Sequence, residues 1–408
     1  MMLAAPHRNL FPSLLIVPGP IMRAFTSPSS RLSSCLLAAV VAAGLNGCGG
    51  EVAVGFGWHS GPHWPDHPDW PSYPDRPQGA TGLFPIAGDI CGQCTTTRDG
   101  TGPDARFNAP QGIGADDAGN LYVAEPASAV IRKITPAGVV TTLAGSPGVI
   151  GQADGQGAAA RFNTPTRLTT DAGANVYVTD TGNSTVRRIT SGGLAGTVAG
   201  SGSCGSQDGR GTFAQFCSPR GIALDRHGNL WVADSGNHTV RRIDQAGNVS
   251  TVAGSPGVCG SRDGKGGQAR FCDPQDVGVD QWDNVYVVDT GNSTVRMIDE
   301  DGTVTTLAGQ AGQCGSNDGS PGVSRLCAPS GIAVEGNDLY VTDTGNATVR
   351  RINLDNVTST VAGVPGRQQI VLGALPGGLE RPIGITLAPD RSFALTAHNM
   401  VVKLLPPR

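Results

Sequence analysis

Charged residues and histidines are scarce in this chain. Lys, Arg, Asp and Glu make up 15% of the 408 residues, and the formal net charge is -4. A nucleic-acid surface needs a basic excess, so the composition argues against one. Beyond residue 83 the histidines are only His227, His238 and His398. No ring of metal-ligating side chains is expected there, and neither a metal site nor a cofactor is predicted.

Two further absences concern catalysis and the membrane. No nucleophile motif of the type G-x-S-x-G occurs, and no catalytic residue is predicted. The apolar run at 35–43 is too short to span a bilayer. It follows Arg23 and Arg31, as expected of a signal peptide, and translation starting at Met22 would suit such a signal better than a start at Met1.

Residues 45–48, Leu-Asn-Gly-Cys, resemble a bacterial lipobox with Cys48 as the lipidated residue. The resemblance implies a signal peptide at 1–47 and acyl chains that would anchor the protein stably to a membrane. Gly49 then implies sorting to the outer membrane. The expected location is the bacterial cell envelope, with the protein facing the periplasm or the exterior. Ordinary signal-peptidase cleavage and secretion are the alternative.

A proline-rich linker is predicted at 48–82, because frequent prolines favour extended conformations. It would hold the following domain away from the membrane. His59, His63 and His67 are evenly spaced there, with Asp66 and Asp69 nearby. Weak transition-metal binding and a simple solvated tether are both compatible with this pattern, and the tether is favoured.

From residue 83 onwards the chain repeats. One unit has four short apolar runs, at 221–224, 230–233, 239–243 and 249–253, each closed by Asp, Gly or Asn. Such runs predict four antiparallel strands joined by hairpins. Six prolines open the units at intervals of 53 to 55 residues: Pro110, Pro165, Pro219, Pro274, Pro329 and Pro382. A four-stranded unit with this period predicts an all-β propeller of six blades; a parallel β-helix is the weaker alternative.

The sixth unit lacks its closing run, whereas a matching run at 83–88 precedes the first unit. We therefore expect the N-terminal run to supply the outer strand of the last blade, which would remove an exposed sheet edge. The predicted propeller extends over 83–408.

The repeated pattern G-I-A-x-D-x-x-G-N-L-Y-V-A-D-x-G-N-x-T-V-R-R-I resembles the NHL repeat, which builds six-bladed propellers. The resemblance covers about 83–405, and its last copy is degraded. Some similar propellers are lyases and lactonases that hold a metal in the central channel. A metal-dependent lyase or lactonase-like hydrolase is therefore the alternative to a binding scaffold.

Six cysteines form three pairs at equivalent repeat positions, and the second unit has Ile150 and Asn163 at both places. Joint presence and joint absence predict bonded pairs, which implies an oxidising compartment. Zinc binding is the alternative. Cys91 and Cys94 remain to bond each other. The predicted disulfides are Cys204–Cys217, Cys259–Cys272, Cys314–Cys327 and Cys91–Cys94.

Three features recur in every unit or nearly so. The D-x-G-N turns, as at 234–237, are expected to be structural, because Asp and Asn bond their own backbone. The loop D-G-x-G-x-x-A-R-F, at 99–107 and 154–162, predicts a Phe between blades and an Asp that caps a turn, with calcium as a less favoured alternative. One arginine per unit lies on the third strand. It is expected to pair with turn carboxylates, and an anion-binding ring is the alternative: Arg132, Arg187, Arg241, Arg296 and Arg350.

Departures from the repeat are the better guide to function. Two residues after the unit's proline, four units have glycine, but Arg167 and Asp276 occupy this position in the second and fourth. The position should lie near a mouth of the central channel, so we expect a polar ligand site at these two residues. The sequence thus predicts a binding scaffold, tethered or secreted, whose partner is an envelope protein, a peptide or a glycan. No nucleic-acid partner is expected.

Overall fold

A computed structural model describes residues 81–89 and 96–407. The predicted signal peptide, Cys48, nearly all of the linker, and Cys91 and Cys94 lie outside these residues, so their roles stay predictions. No helix among the described residues has both the length and the apolar character needed to cross a membrane.

Six antiparallel sheets form the blades of an all-β propeller. Each has four strands, which we call the inner, second, third and outer strand. Blade 1 has Ile113–Ala115, Leu121–Glu125, Val130–Ile134 and Val139–Gly145; blade 2 has Pro165–Thr170, Val176–Asp180, Thr185–Ile189 and Leu194–Ala199; blade 3 has Pro219–Leu224, Leu230–Asp234, Thr239–Ile243 and Asn248–Gly254. Blade 4 has Pro274–Val279, Val285–Asp289, Thr294–Ile298 and Thr303–Gly309; blade 5 has Pro329–Glu335, Asp338–Asp343, Thr348–Ile352 and Thr358–Ala362; blade 6 has Pro382–Leu387, Phe393–Ala397, Met400–Leu405 and Gly82–Gly88.

The ring closes as predicted. Gly82–Gly88 pairs antiparallel with Met400–Leu405, with Leu83 opposite Leu404 and Pro85 opposite Val402. The inner strand of blade 6 also packs against that of blade 1. Both ends of the propeller therefore meet in one sheet.

Four blades carry a fifth strand of two residues that the sequence analysis did not predict. It pairs with the outer strand and leads into a short 3-10 helix. The added strands are Gly100–Thr101, Gly155–Gln156, Gly209–Arg210 and Gly264–Lys265. The 3-10 helices after them are Gly102–Asp104, Gly157–Ala159, Gly211–Phe213 and Gly266–Gln268, and those in the D-x-G-N turns are Thr181–Asn183, Ser235–Asn237, Thr290–Asn292 and Thr344–Asn346.

Apolar cores lie between neighbouring blades. Phe162 is fully buried among Ile131 and Ala144 of blade 1 and Val178 and Ile189 of blade 2. This confirms that the loop phenylalanine packs between blades. Burial of one such side chain contributes about 1.5–3 kcal/mol to stability.

The recurring arginine is buried and holds two carboxylates. In blade 2, Arg187 Nη1 lies 2.9 Å from Asp180 Oδ2, and its Nη2 lies 2.7 Å from Asp154 Oδ1. Its guanidinium lies 5.1 Å from the centre of the Phe162 ring. Asp154 also accepts a hydrogen bond from Thr197 Oγ1. The loop Asp thus joins the arginine to the outer strand, and the prediction that it caps a turn is wrong.

Three disulfides close the long loops that lead from one blade to the next. They join Cys204 to Cys217, Cys259 to Cys272, and Cys314 to Cys327. The second cysteine of each pair packs against the glycine of its own blade's D-x-G-N turn, where a Cβ on Gly236 would approach Cys217 Sγ to 3.1 Å. Each bond therefore fixes the loop against a turn.

Candidate ligand-binding channel

The inner strands surround a central channel with a cavity of about 230 Å³. Each blade contributes a branched apolar side chain to its lining at the same position of the inner strand: Ile113, Leu168, Ile222, Val277, Ile332 and Ile385. The lining begins at Arg167 and Asp276, near the start of the inner strands, and continues to the ends of these strands. Its lining thus combines branched apolar side chains with threonines and polar backbone groups, and its first residues are charged.

Close packing of the inner strands explains why most blades have glycine at the start of this lining. A Cβ on Gly112 would lie 2.3 Å from Thr166 O, and one on Gly221 would lie 2.5 Å from the Cα of Asp276. Only blades 2 and 4 have a side chain at this level. These two side chains, Arg167 and Asp276, lie in non-adjacent blades and meet.

Arg167 of blade 2 and Asp276 of blade 4 form an ion pair, which is also hydrogen-bonded to blades 1, 5 and 6. Arg167 Nε lies 3.5 Å from Asp276 Oδ2. Arg167 also donates to the carbonyl oxygens of Gln111 at 3.2 Å and Ile383 at 3.1 Å, and to Ser330 O. Asp276 Oδ2 accepts from Ile332 N at 3.2 Å. The structure therefore brings the two predicted site residues together.

Both groups are shielded from water, with side-chain exposures of 7% and 9%. Burial raises the pKa of Asp276 to about 6, although the charge of Arg167 opposes this rise. Burial also lowers the pKa of Arg167 from its ordinary value; Asp276 opposes this effect, and nearby Arg220 adds to it.

Sequence reasoning missed a second polar contact. It joins the inner strands of blades 3 and 4, one residue before the positions of Gly221 and Asp276. Arg220 Nη1 donates to Gln275 Oε1 at 3.0 Å, while its buried Nε has no hydrogen-bond partner in the described part of the chain. The residue after the unit's proline varies among the blades, and only glutamine occurs twice; this variation was the available signal: Gln111, Thr166, Arg220, Gln275, Ser330 and Ile383.

The repeated carboxylates and arginines form the framework around this channel. Asp234 accepts from the amide of Asn237 at 2.7 Å and from Arg241 at 2.8 Å, which confirms the structural role of the D-x-G-N turn. Within 81–89 and 96–407, no three His, Cys, Asp or Glu side chains are grouped so that they could hold a metal ion.

The NHL repeat family model matches residues 216–243 and 326–352. These stretches contain the inner, second and third strands of blades 3 and 5. The chain contains NHL repeats, and it folds as a six-bladed propeller. This propeller is 28% identical to NHL repeat-containing protein 2 of Gallus gallus over 282 residues, which is 60% of this chain and 38% of that protein. It thus spans well under half of that relative's length.

Two solved structures from Bacteroides thetaiotaomicron share the fold of this NHL-repeat propeller. A structural-genomics protein of unknown function superimposes with a TM-score of 0.63 at 21% identity, covering 80% of this chain and 76% of that one. An auxiliary nutrient binding protein superimposes with a TM-score of 0.62 at 14% identity, covering 81% and 77%. At these identities the likeness shows the fold alone.

Proposed function

We propose that this NHL-repeat propeller is a binding scaffold, held at or released from the bacterial cell envelope, whose central channel takes a small ligand. The observation that carries the proposal is the buried Arg167–Asp276 pair at one end of a channel lined by branched apolar side chains and threonines. Ligand pockets typically combine apolar walls with a few fixed polar groups.

The pair retains capacity for a ligand. A guanidinium has five donors, and four of those of Arg167 are directed at Asp276, Gln111, Ser330 and Ile383. The carboxylate of Asp276 has about four lone-pair sites and accepts from Arg167, Ile332 and its neighbour Val277. One donor and one acceptor site therefore remain for a hydroxyl, amide or carboxyl group.

Export is supported by the three disulfides, because such bonds persist in oxidising compartments. We propose that Cys48 carries the lipid anchor and that 48–82 tethers the propeller. Fractionation of Cys48→Ala cells and the mass of the mature N-terminus test this part. A wild-type protein that lacks a lipid and lies in the soluble fraction would contradict it.

The channel is tested by incubating the purified protein with envelope extract and identifying retained small molecules by native mass spectrometry. The matched variant is Arg167→Gln/Asp276→Asn, which removes both charges and keeps a polar side chain at each position; Asn has the shape of Asp, and Gln is shorter than Arg. We expect the wild type to retain a ligand that the double variant loses. Equal retention by both proteins would refute a role for the pair.

Stoichiometric zinc or calcium in the purified protein would instead favour a metal-dependent lyase or lactonase.

A further inference from the structure

A second cavity, of about 290 Å³, lies between blades 4 and 5 and away from the channel. We call it the blade 4–5 groove. It is formed around the first hairpin turns of both blades and the turn between the third and outer strands of blade 5. Trp282 and Leu354 supply its exposed apolar surface, and the side chains of Asn284, Asn337, Asn353 and Asn356 supply amides.

Three of these residues depart from the repeat. Trp282 follows the turn aspartate at a position where blades 1 to 3 have Ala118, Gly173 and His227. Leu354 replaces Pro136, Ser191, Gln245 and Glu300 of blades 1 to 4. Both are exposed, Trp282 by 52% and Leu354 by 71%. Side chains this open to water contribute little to the packing of the blades.

Asn356 is the third departure. Its backbone N–H donates to Asn353 O, as the equivalent glycine does in blades 1 to 4. Those glycines have φ of 76 to 90°, and Asn356 has φ of 58°, in the left-handed region that favours glycine. Blade 5 thus carries an amide where the fold is best served by no side chain. The residues replaced in the first four blades are Gly138, Gly193, Gly247 and Gly302.

The amides have hydrogen-bonding groups available. Asn353 Oδ1 accepts from the backbone N–H groups of Asp355 and Val357, so its NH₂ group faces no acceptor in the described chain. Asn284 donates to Asp280 and keeps its oxygen. The side chains of Asn337 and Asn356 make no hydrogen bond to the described residues. Donors and acceptors therefore occur together beside an indole ring.

Charge narrows the ligand class. Asp280 is the one charged residue in the groove lining, and it is buried and bonded to Trp282 N, to Asn284 and to the hydroxyl of Tyr286. No lysine or arginine lines the groove, so an anionic ligand would have no counter-charge. The ligand that fits is neutral, with a flat apolar face for the indole and groups that both donate and accept for the amides.

We propose that the blade 4–5 groove binds a neutral saccharide, with the C–H face of a pyranose ring on Trp282 and its hydroxyls on the asparagine amides. Indole is an amphipathic surface suited to such a face, and amides match hydroxyls because both donate and accept. The proposal goes beyond the channel function proposed above and does not rest on it. The groove and the channel are separate sites.

Isothermal titration of the purified full-length protein with cellotriose, maltotriose and mannotriose tests the proposal. We expect at least one of the three to bind. Trp282→Ala should weaken binding about tenfold or more, which corresponds to about 1.4 kcal/mol. Asn356→Gly should also weaken it while leaving the unfolding midpoint unchanged or raised, because blades 1 to 4 have glycine at this position. Phe213→Ala, which removes an aromatic exposed by 78% on blade 3, should leave binding unchanged.

The proposal is overturned if none of the three sugars binds at up to about 10 mM, or if Trp282→Ala and Asn356→Gly both bind as the wild type does. An equal loss in Phe213→Ala would also overturn it, since binding would then follow general surface hydrophobicity. Failure here leaves the envelope scaffold standing if the Arg167→Gln/Asp276→Asn variant still loses its retained ligand. Conversely, sugar binding that survives this double variant separates the groove from the channel.

Discussion

Arg167 Nε lies 3.5 Å from Asp276 Oδ2, although the two residues belong to blades 2 and 4 and blade 3 lies between them. With its bonds to Gln111, Ser330 and Ile383, the pair connects five of the six blades. Glycines elsewhere at this level leave room for it. The pair is therefore both the polar end of a ligand channel and a cross-link of the ring.

Removing one partner of this pair should destabilise the propeller strongly. Asp276→Ala leaves a buried guanidinium without its counter-charge, and we expect a loss of about 3 kcal/mol or more in the free energy of unfolding. Replacing both residues, as in Arg167→Met/Asp276→Leu, should cost less than the sum of Arg167→Met and Asp276→Leu alone. Urea denaturation measures the free energy of unfolding of each variant. The surface pair of the exposed Arg391 with the partly buried Glu335 is the control, and Arg391→Ala should change stability by about 1 kcal/mol or less.

Stability should rise as the pH falls from 7 to about 5. Burial raises the pKa of Asp180, Asp234, Asp276 and Asp289 to about 6 in the fold. Between the ordinary value of 3.8 and about 6, the folded protein therefore holds more protons than the unfolded chain, and its free energy of unfolding decreases as the pH rises through this window.

Asp171 and Asp225 act in the opposite sense, because hydrogen bonds from their hairpin turns lower their pKa values despite partial burial. Their contribution is lost only as the pH falls below about 3.8. Urea titrations at several pH values should place the maximum near pH 4–5. Asp276→Asn should flatten the change between pH 7 and 5, and a wild type that loses stability over that range would contradict the assignment.

Arg187 and Arg188 are adjacent on one strand but should respond very differently to substitution. Arg187→Ala removes the buried partner of Asp154 and Asp180, so we expect a loss of about 3–5 kcal/mol. Arg188 is exposed, and Arg188→Ala should shift the free energy of unfolding by about 0.5 kcal/mol or less. Similar losses in both variants would show that the network does not stabilise the blade.

Replacing Cys259 and Cys272 together by alanine should lower the free energy of unfolding by about 3 kcal/mol. The bond joins residues that are 13 positions apart, and closing a loop of that length restricts the unfolded chain. Calorimetry of the double variant under oxidising conditions measures the loss. Ile150→Ala/Asn163→Ala in blade 2 controls for the loss of side chains at the same positions.

Alkylation of the untreated protein followed by mass spectrometry tests all the predicted bonds. The three bonds of the structure leave their six cysteines unlabelled. We expect Cys91 and Cys94 to be unlabelled too. Label on those two alone would refute the fourth bond and leave the others standing.

Much of this architecture could be predicted because the pattern of four strands occurs six times in the sequence. The missing last strand and the spare first one indicated closure, and two departures from glycine singled out Arg167 and Asp276. Their mutual contact could not be predicted, since it depends on how far apart blades 2 and 4 lie across the channel.

Other features left no periodic signal. The fifth strands are two residues long, too short for an alternating pattern. The blade 4–5 groove combines turns from two blades, and neither Trp282 nor Asn356 indicates a site when considered alone.

The pairing of Gly82–Gly88 with Met400–Leu405 also sets the order of events during synthesis. The first strand of the propeller finds its partner only after nearly all of the propeller has been translated. Until then it is unpaired, and a nascent or truncated chain exposes edges at both ends of a growing arc. Such long-range pairing slows folding, and the exposed edges favour aggregation until it is complete. A chaperone that covers Gly82–Gly88 during synthesis would reduce this aggregation.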